Sequence, residues 1–211
     1  MGRGTAPSTR ETQEARPTEK APADFRFKVC LLGEEGVGKT SLVARFVLNQ
    51  FTERYARSLG ARMLKKEVVV STSGRTAKVV LLIWDIMGEK GFRELLKDAY
   101  FGGSQGILAV ADLLRQDTIQ ALPDWIDAAQ SVAGRVPVAI LGNKNDLHPA
   151  REEIESLKAL AESVSAPYWL TSAKTGENVE RAFQSTAVAI LEQLGTTGRS
   201  GSAKARMAPD A

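Results

Sequence analysis

Gly33-Glu34-Glu35-Gly36-Val37-Gly38-Lys39-Thr40 is the stretch whose reading decides the fold. It fits G-x-x-x-x-G-K-[ST], a loop whose backbone N–H groups wrap phosphate oxygens. The flanks match the letters. Before it, Phe27, Val29 and Leu31 alternate with Arg26, Lys28 and Cys30, which predicts a strand from Phe25 to Leu32. After it, Ser41 to Leu48 carries apolar residues at helical spacing. Strand, glycine loop and helix is the order a phosphate cradle needs. The glycines allow the tight turn, and the helix N-terminus adds partial positive charge. In this frame Lys39 reaches the β- and γ-phosphates, and the Thr40 hydroxyl holds Mg²⁺. Glu34, Glu35, Val37 and Ser41 complete the expected phosphate-binding segment.

Bulk properties narrow the class. The chain has 211 residues, 43% of them hydrophobic. That suits one domain with a real core and tails. A net charge of +3 is too small to argue for nucleic acid. The single cysteine, Cys30, reads as a small apolar core residue and fits a reducing compartment. No run has the length of a membrane helix. The start places Ala6 where a myristoylation signal wants Ser or Thr, and the last residues hold no cysteine for prenylation, so no lipid anchor is evident. These features point to a cytoplasmic protein, or one recruited to membranes by a partner.

Taken in order, 1–24 reads as a disordered tail rich in Pro, Thr and Ala. Arg62–Val70 and Lys78–Trp84, separated by Ser71 to Arg75, read as an antiparallel hairpin. Gln105–Ala111 and Val136–Leu141 read as strands buried on both faces. Asp117–Ala133 reads as a helix with Pro123 in its first turn or at a break. Glu152–Val164 is a helix, Tyr168–Leu170 a last short strand, and Val179–Leu194 a terminal helix. From Gly195 the composition reads as a flexible tail. Strands alternating with helices predict an α/β domain over 25–194, its sheet mostly parallel and six-stranded with helices on both faces. Right-handed crossovers then put the strand-to-helix loops on one edge, where ligands bind.

Three polar motifs fall on that edge. Asp85-Ile86-Met87-Gly88 has the form D-x-x-G. An aspartate at a strand end near the phosphate loop supports Mg²⁺ through water, and Gly88 can offer its N–H to a γ-phosphate. Asn143-Lys144-Asn145-Asp146 has the form N-K-x-D. A carboxylate there accepts from both N1–H and the 2-amino group of guanine. Adenine offers neither and leaves the carboxylate unpaired. Lys144 can lay its stem along the base. Ser172-Ala173-Lys174 can present a backbone N–H to the guanine carbonyl oxygen.

With these motifs in place, 25–194 resembles a small GTPase of the Ras superfamily, nearest the Rab branch. Ser58-Leu59-Gly60, Trp84-Asp85, Gly91-Phe92-Arg93 and Tyr100-Phe101 carry the Rab-like likeness. The resemblance implies GTP and GDP as ligands with Mg²⁺ as cofactor. It implies phosphate contacts from Gly33, Gly36, Gly38 and Lys39, and Mg²⁺ contacts from Thr40, Ser58 and Asp85. Phe51 falls beside the guanine, Gly88 at the γ-phosphate, and Asn143, Lys144, Asp146 and the adjoining Leu147 at the base, supported by Ser172, Ala173 and Lys174. Phe51–Arg62 and Asp85–Tyr100 would be the two switches, through which effector, exchange-factor and GTPase-activating proteins bind.

The departures bear on turnover. Glu89 stands where the family has the glutamine that orients the attacking water. With Lys39 and Gly88 it completes the expected catalytic set. An ionised glutamate only accepts hydrogen bonds and adds negative charge near the γ-phosphate. That predicts slow hydrolysis. A glutamate can also act as a general base, so both signs stay open. Glu35 replaces a small residue beside the γ-phosphate and points either to solvent or into the site. With Glu34 it can weaken nucleotide affinity or crowd an incoming arginine. Ser58 keeps the hydroxyl of the family's threonine but loses a methyl that stiffens the switch. The leading expectation is a nucleotide switch. A GTP-binding scaffold with little turnover is the alternative, and a P-loop kinase or ATPase is disfavoured by the guanine motif. Trp125 and Trp169 are expected to pack on the sheet, Trp84 either there or toward a partner, and His148 at the surface.

Overall fold

The computed structural model describes Met1 and residues 24–51, 61–72, 75–86 and 98–204. β1 (Phe25–Leu32) leads through the glycine loop into α1 (Lys39–Leu48). β2 (Ala61–Thr72) and β3 (Arg75–Ile86) follow, then β4 (Gly106–Asp112), α2 (Gln116–Gln120) and α3 (Leu122–Ala133). β5 (Val138–Asn143), α4 (Arg151–Ser163), β6 (Tyr168–Leu170) and α5 (Val179–Lys204) complete the chain. The six strands lie in the order β2-β3-β1-β4-β5-β6. The β2–β3 pair is antiparallel, and the β1–β3, β1–β4, β4–β5 and β5–β6 pairs are parallel.

Period-two alternation in β1 explains the layering. Phe27, Val29 and Leu31 face α1 and α5, where Phe46 stacks on Phe183 at 4.0 Å between ring centres. Cys30 and Leu32 face the other way, toward Trp125 of α3 and Leu157 of α4. β4 splits likewise: Leu108 and Val110 join the first cluster, and Ile107, Ala109 and Ala111 the second. Helices therefore cover both faces, as the apolar strands require. Cys30 is buried, and its thiol meets the Ser104 hydroxyl at 3.0 Å.

The element bounds shift in ways that have physical causes. The hairpin is longer than expected, with paired register from Ala61↔Ile86 to Thr72↔Arg75. The expected helix over Asp117–Ala133 is two helices, α2 and α3, meeting at Ala121, because Pro123 opens α3 and has no N–H for a continuous ladder. β5 starts at Val138 rather than Val136 because Pro137 cannot donate; its carbonyl instead accepts from Ile107 N–H at 2.9 Å. β5 also includes Asn143, which pairs with Asp112 at the carboxyl edge. α5 runs on to Lys204 instead of stopping at Leu194. Ile190 is buried in the core, and Leu194 is exposed. The expected N-terminal tail lies outside the described residues apart from Met1 and Asp24, as does 205–211. Among the described residues no helix is long and apolar enough to cross a membrane.

Candidate nucleotide site

Gly33 to Gly38 link β1 to α1 at the carboxyl edge. Gly33 has φ +132, and a Cβ there would lie 2.1 Å from the Val110 carbonyl oxygen. Gly38, with φ +99, sits directly before α1, and a Cβ there would lie 2.3 Å from Asn143 Nδ2. Only glycine fits either position. Val37 is buried beneath the loop. Lys39, Thr40 and Ser41 form the first turn of α1. The Lys39 ammonium curls back under the loop and donates to the carbonyls of Gly33 at 2.7 Å and Glu34 at 2.8 Å. Burial lowers its pKa to about 8, against the attraction of Asp85, Glu34 and Glu35. Lys39 is thus a cation held in place by the carbonyls of its own loop.

Thr40 Oγ1 donates to Asp85 Oδ2 at 2.6 Å, joining α1 to β3. Asp85 Oδ1 is buried and has no hydrogen-bond partner among the described residues. Burial raises the Asp85 pKa, while Thr40 and Lys39 oppose the rise. A buried, partnerless carboxylate oxygen beside a hydroxyl is a costly arrangement that a hard divalent cation relieves. The donor set fits Mg²⁺.

The base-side loops are knitted together. Asn143 is 1% exposed. Its amide donates to the Val37 carbonyl at 2.9 Å, tying this loop to the phosphate loop. Its Oδ1 accepts from Ala173 N–H at 3.2 Å and from the Thr171 hydroxyl at 3.4 Å. The Ala173 amide, one of the three candidates for a guanine carbonyl, is therefore engaged by Asn143. Asp146 Oδ1 accepts from the Ser172 hydroxyl at 2.6 Å, which fixes the carboxylate expected to read guanine. Lys144, in the left-handed region at φ 70, extends to Asp112 Oδ2 at 2.7 Å.

The two glutamates of the phosphate loop have defined surroundings. The Glu34 carboxylate accepts from Trp125 Nε1 at 3.0 Å. The Glu35 carbonyl accepts from Arg115 Nη2 at 2.7 Å, and Arg115 Nε bonds Asp112 Oδ2 at 3.0 Å. Asp112 therefore pairs with both Lys144 and Arg115, one serving the base loop and one the phosphate loop. Burial pushes the Asp112 carboxyl up, but bonds from Lys144, Leu114 N–H and Arg115 outweigh it and hold the pKa below 3.8.

The fold thus brings Gly33 to Ser41, Asp85, Asn143, Lys144, Asp146 and Ser172 to Lys174 to one edge. Leu147 is half-exposed beside them, and Phe51 is exposed at the C-terminal side of α1. Ser58, Gly88 and Glu89 lie outside the described residues, with most of both expected switches. Trp125 packs on the sheet as expected, but its bond to Glu34 and the site roles of Asp112, Arg115 and Arg45 were not foreseen. Asp112 had a signal, a charge closing an apolar strand at the ligand edge; the others had none. Trp84 is half-buried, with the Lys28 ammonium 4.4 Å from its ring centre, and His148 is exposed.

The model of the Ras family matches residues 28–192. Rab-27B of Bos taurus is 33% identical over 180 residues, covering 81% of this chain and 82% of its own. Rab-4B of Homo sapiens is 36% identical over 174 residues, covering 81% and 79%. The chain belongs to the Ras family as a Rab-like small GTPase, a GTP-binding switch.

Proposed function

We propose that this chain cycles between GTP- and GDP-bound forms with Mg²⁺, and that its unassisted turnover is slow. The observation that carries the site reading is the Thr40–Asp85 contact, with Asp85 Oδ1 buried and partnerless among the described residues and its carboxylate attracted by the Lys39 ammonium. Thr40, Asp85 and, from the first switch, Ser58 are the residues that would hold Mg²⁺. When bound, the ion neutralises charge on the β- and γ-phosphate oxygens. Lys39 supplies the second positive charge from inside the loop. Asp146, braced by Ser172, accepts from guanine, and Asn143 holds the base loop on the phosphate loop.

Ser58 and Gly88 order the two switches when a γ-phosphate is present, and partners that prefer the ordered form bind then. Exchange factors and activating proteins act on the same surfaces. Recruitment to a membrane would come from a partner.

Glu89 sets the rate. Its carboxylate replaces an amide that both donates and accepts, which favours turnover below the roughly 10⁻⁴ s⁻¹ of an unassisted small GTPase. The test is single-turnover hydrolysis of bound GTP beside Glu89→Gln. Faster turnover in the variant supports a braked switch. Normal wild-type turnover that slows on substitution assigns Glu89 to water activation. A wild type that binds GTP but never hydrolyses it, with or without Glu89→Gln, makes the chain a GTP-binding scaffold.

A further inference from the structure

Arg45 lies on α1, about one and a half turns beyond Lys39 and Thr40. Its guanidinium leaves the helix for the base-side loop. Nε donates to the Ala173 carbonyl at 2.8 Å and Nη2 to the Lys174 carbonyl at 2.5 Å. Nη1 is held from the other side by Asn49, through Oδ1 at 3.2 Å and the carbonyl at 3.4 Å. Asn49 is itself fixed, because its left-handed backbone closes α1 with an N–H bond to the Arg45 carbonyl at 3.0 Å. The fork therefore has a rigid base and grips two successive peptide groups.

A trans peptide is planar, so holding its carbonyl also aims its N–H the opposite way. The peptide whose oxygen belongs to Lys174 carries the Thr175 N–H. That N–H donates to the Ser172 hydroxyl at 3.0 Å, and the hydroxyl donates to Asp146 Oδ1 at 2.6 Å. The chain of contacts runs from Arg45 to the base-reading carboxylate without a gap. We infer that Arg45 is a positioning residue for guanine recognition, aligning Asp146 through the Lys174–Thr175 peptide and Ser172. α1 then begins in the phosphate loop and ends on the base loop, so one helix sets the spacing between both halves of the site. A lysine would not substitute, since it lacks the planar fork that spans two carbonyls.

This inference rests on Asp146 as the guanine acceptor, and the test separates the two. Dissociation rates of ribose-labelled GDP and IDP are measured from the full chain. IDP has the same phosphates and lacks only the 2-amino group. In Arg45→Ala, GDP release is expected to rise about 10-fold, the scale of one lost charge-assisted hydrogen bond. The preference for GDP over IDP shrinks with it. Equal acceleration of both nucleotides overturns the inference and leaves Arg45 a fold-stabilising residue. Unchanged release overturns it as well. If Arg45→Ala does not fold, Arg45→Met keeps the apolar stem, removes every donor, and is read by the same ratio. A wild type with no preference for GDP over IDP removes the reading of Asp146, and this inference with it.

Discussion

The indole Nε1 of fully buried Trp125 donates to Glu34 Oε1 at 3.0 Å, so the core of α3 holds a carboxylate of the phosphate loop. The bond anchors a negative charge that would otherwise oppose an incoming polyphosphate. Trp125→Phe keeps most of the packing and deletes the donor. It is expected to cost about 1–3 kcal/mol in chemical unfolding, the range for a buried acceptor losing its partner. GDP affinity should fall several-fold through the loosened loop. Glu34→Gln keeps an acceptor for Trp125 and should bind GDP at least as tightly as wild type. A weaker Glu34→Gln would mean that the charge is not what the indole restrains.

Asp112 carries the clearest pH dependence. It is 2% exposed and receives both Lys144 and Arg115. Asp112→Asn should cost about 1–3 kcal/mol, less than a fully buried pair, because both cations reach solvent. The sign follows from the lowered pKa. The native carboxyl releases its proton more readily than the unfolded one, so its stabilisation is complete above pH 3.8 and disappears as pH falls through the native value. Denaturant titrations of the two proteins should therefore converge below pH 4. A gap that stays constant to pH 3 would show that the charge of Asp112 contributes nothing.

These tethers mark the limit of what the linear sequence discloses. The glycine loop, Asn143 to Asp146 and Ser172 to Lys174 are each local patterns, and strand-to-helix alternation alone puts them on one edge. Glu34 and Trp125 are 91 positions apart, Arg115 and Glu35 are 80, and Arg45 and Ala173 are 128. No periodicity links residues at such separations; only the sheet order does. The break at Ala121 was half legible, because Pro123 opens a helix as readily as it interrupts one. The overlong α5 was not, because 195–204 contains three glycines, which lower helix propensity.

Lys39 trades stability for binding. Burial makes its charged form expensive, with a native pKa of about 8 against 10.5. A lowered lysine pKa means that the unfolded chain binds more protons between those values, so the cost is full below pH 8 and fades as pH rises toward 10.5. Lys39→Met should therefore lose GTP binding by at least about 100-fold, as expected for a charged group on phosphate. Stripped of nucleotide, the variant should melt no lower than wild type at pH 7. The difference should close above pH 9. A variant that melts well below wild type at pH 7 would show that the two carbonyl contacts outweigh the buried charge.

Three glycines with positive φ should respond to alanine in a fixed order, because their surroundings differ. Gly103, at φ +70, has nothing among the described residues within 4 Å of an added Cβ. Gly103→Ala should cost about 1–2 kcal/mol from backbone strain and leave nucleotide release unchanged. At Gly38 the added carbon meets the Asn143 amide at 2.3 Å, a side-chain group that can swing away. It can do so only by giving up the bond to Val37 that joins base loop to phosphate loop. Gly38→Ala should fold, with GDP affinity down at least about 100-fold, since strain and a lost buried bond add. At Gly33 the obstacle is the Val110 carbonyl at 2.1 Å, backbone in the middle of β4 that cannot step aside. Gly33→Ala should give little folded protein. Melting curves with GDP-release assays on the three variants check the order, and a well-folded Gly33→Ala beside an unfolded Gly38→Ala would reverse it.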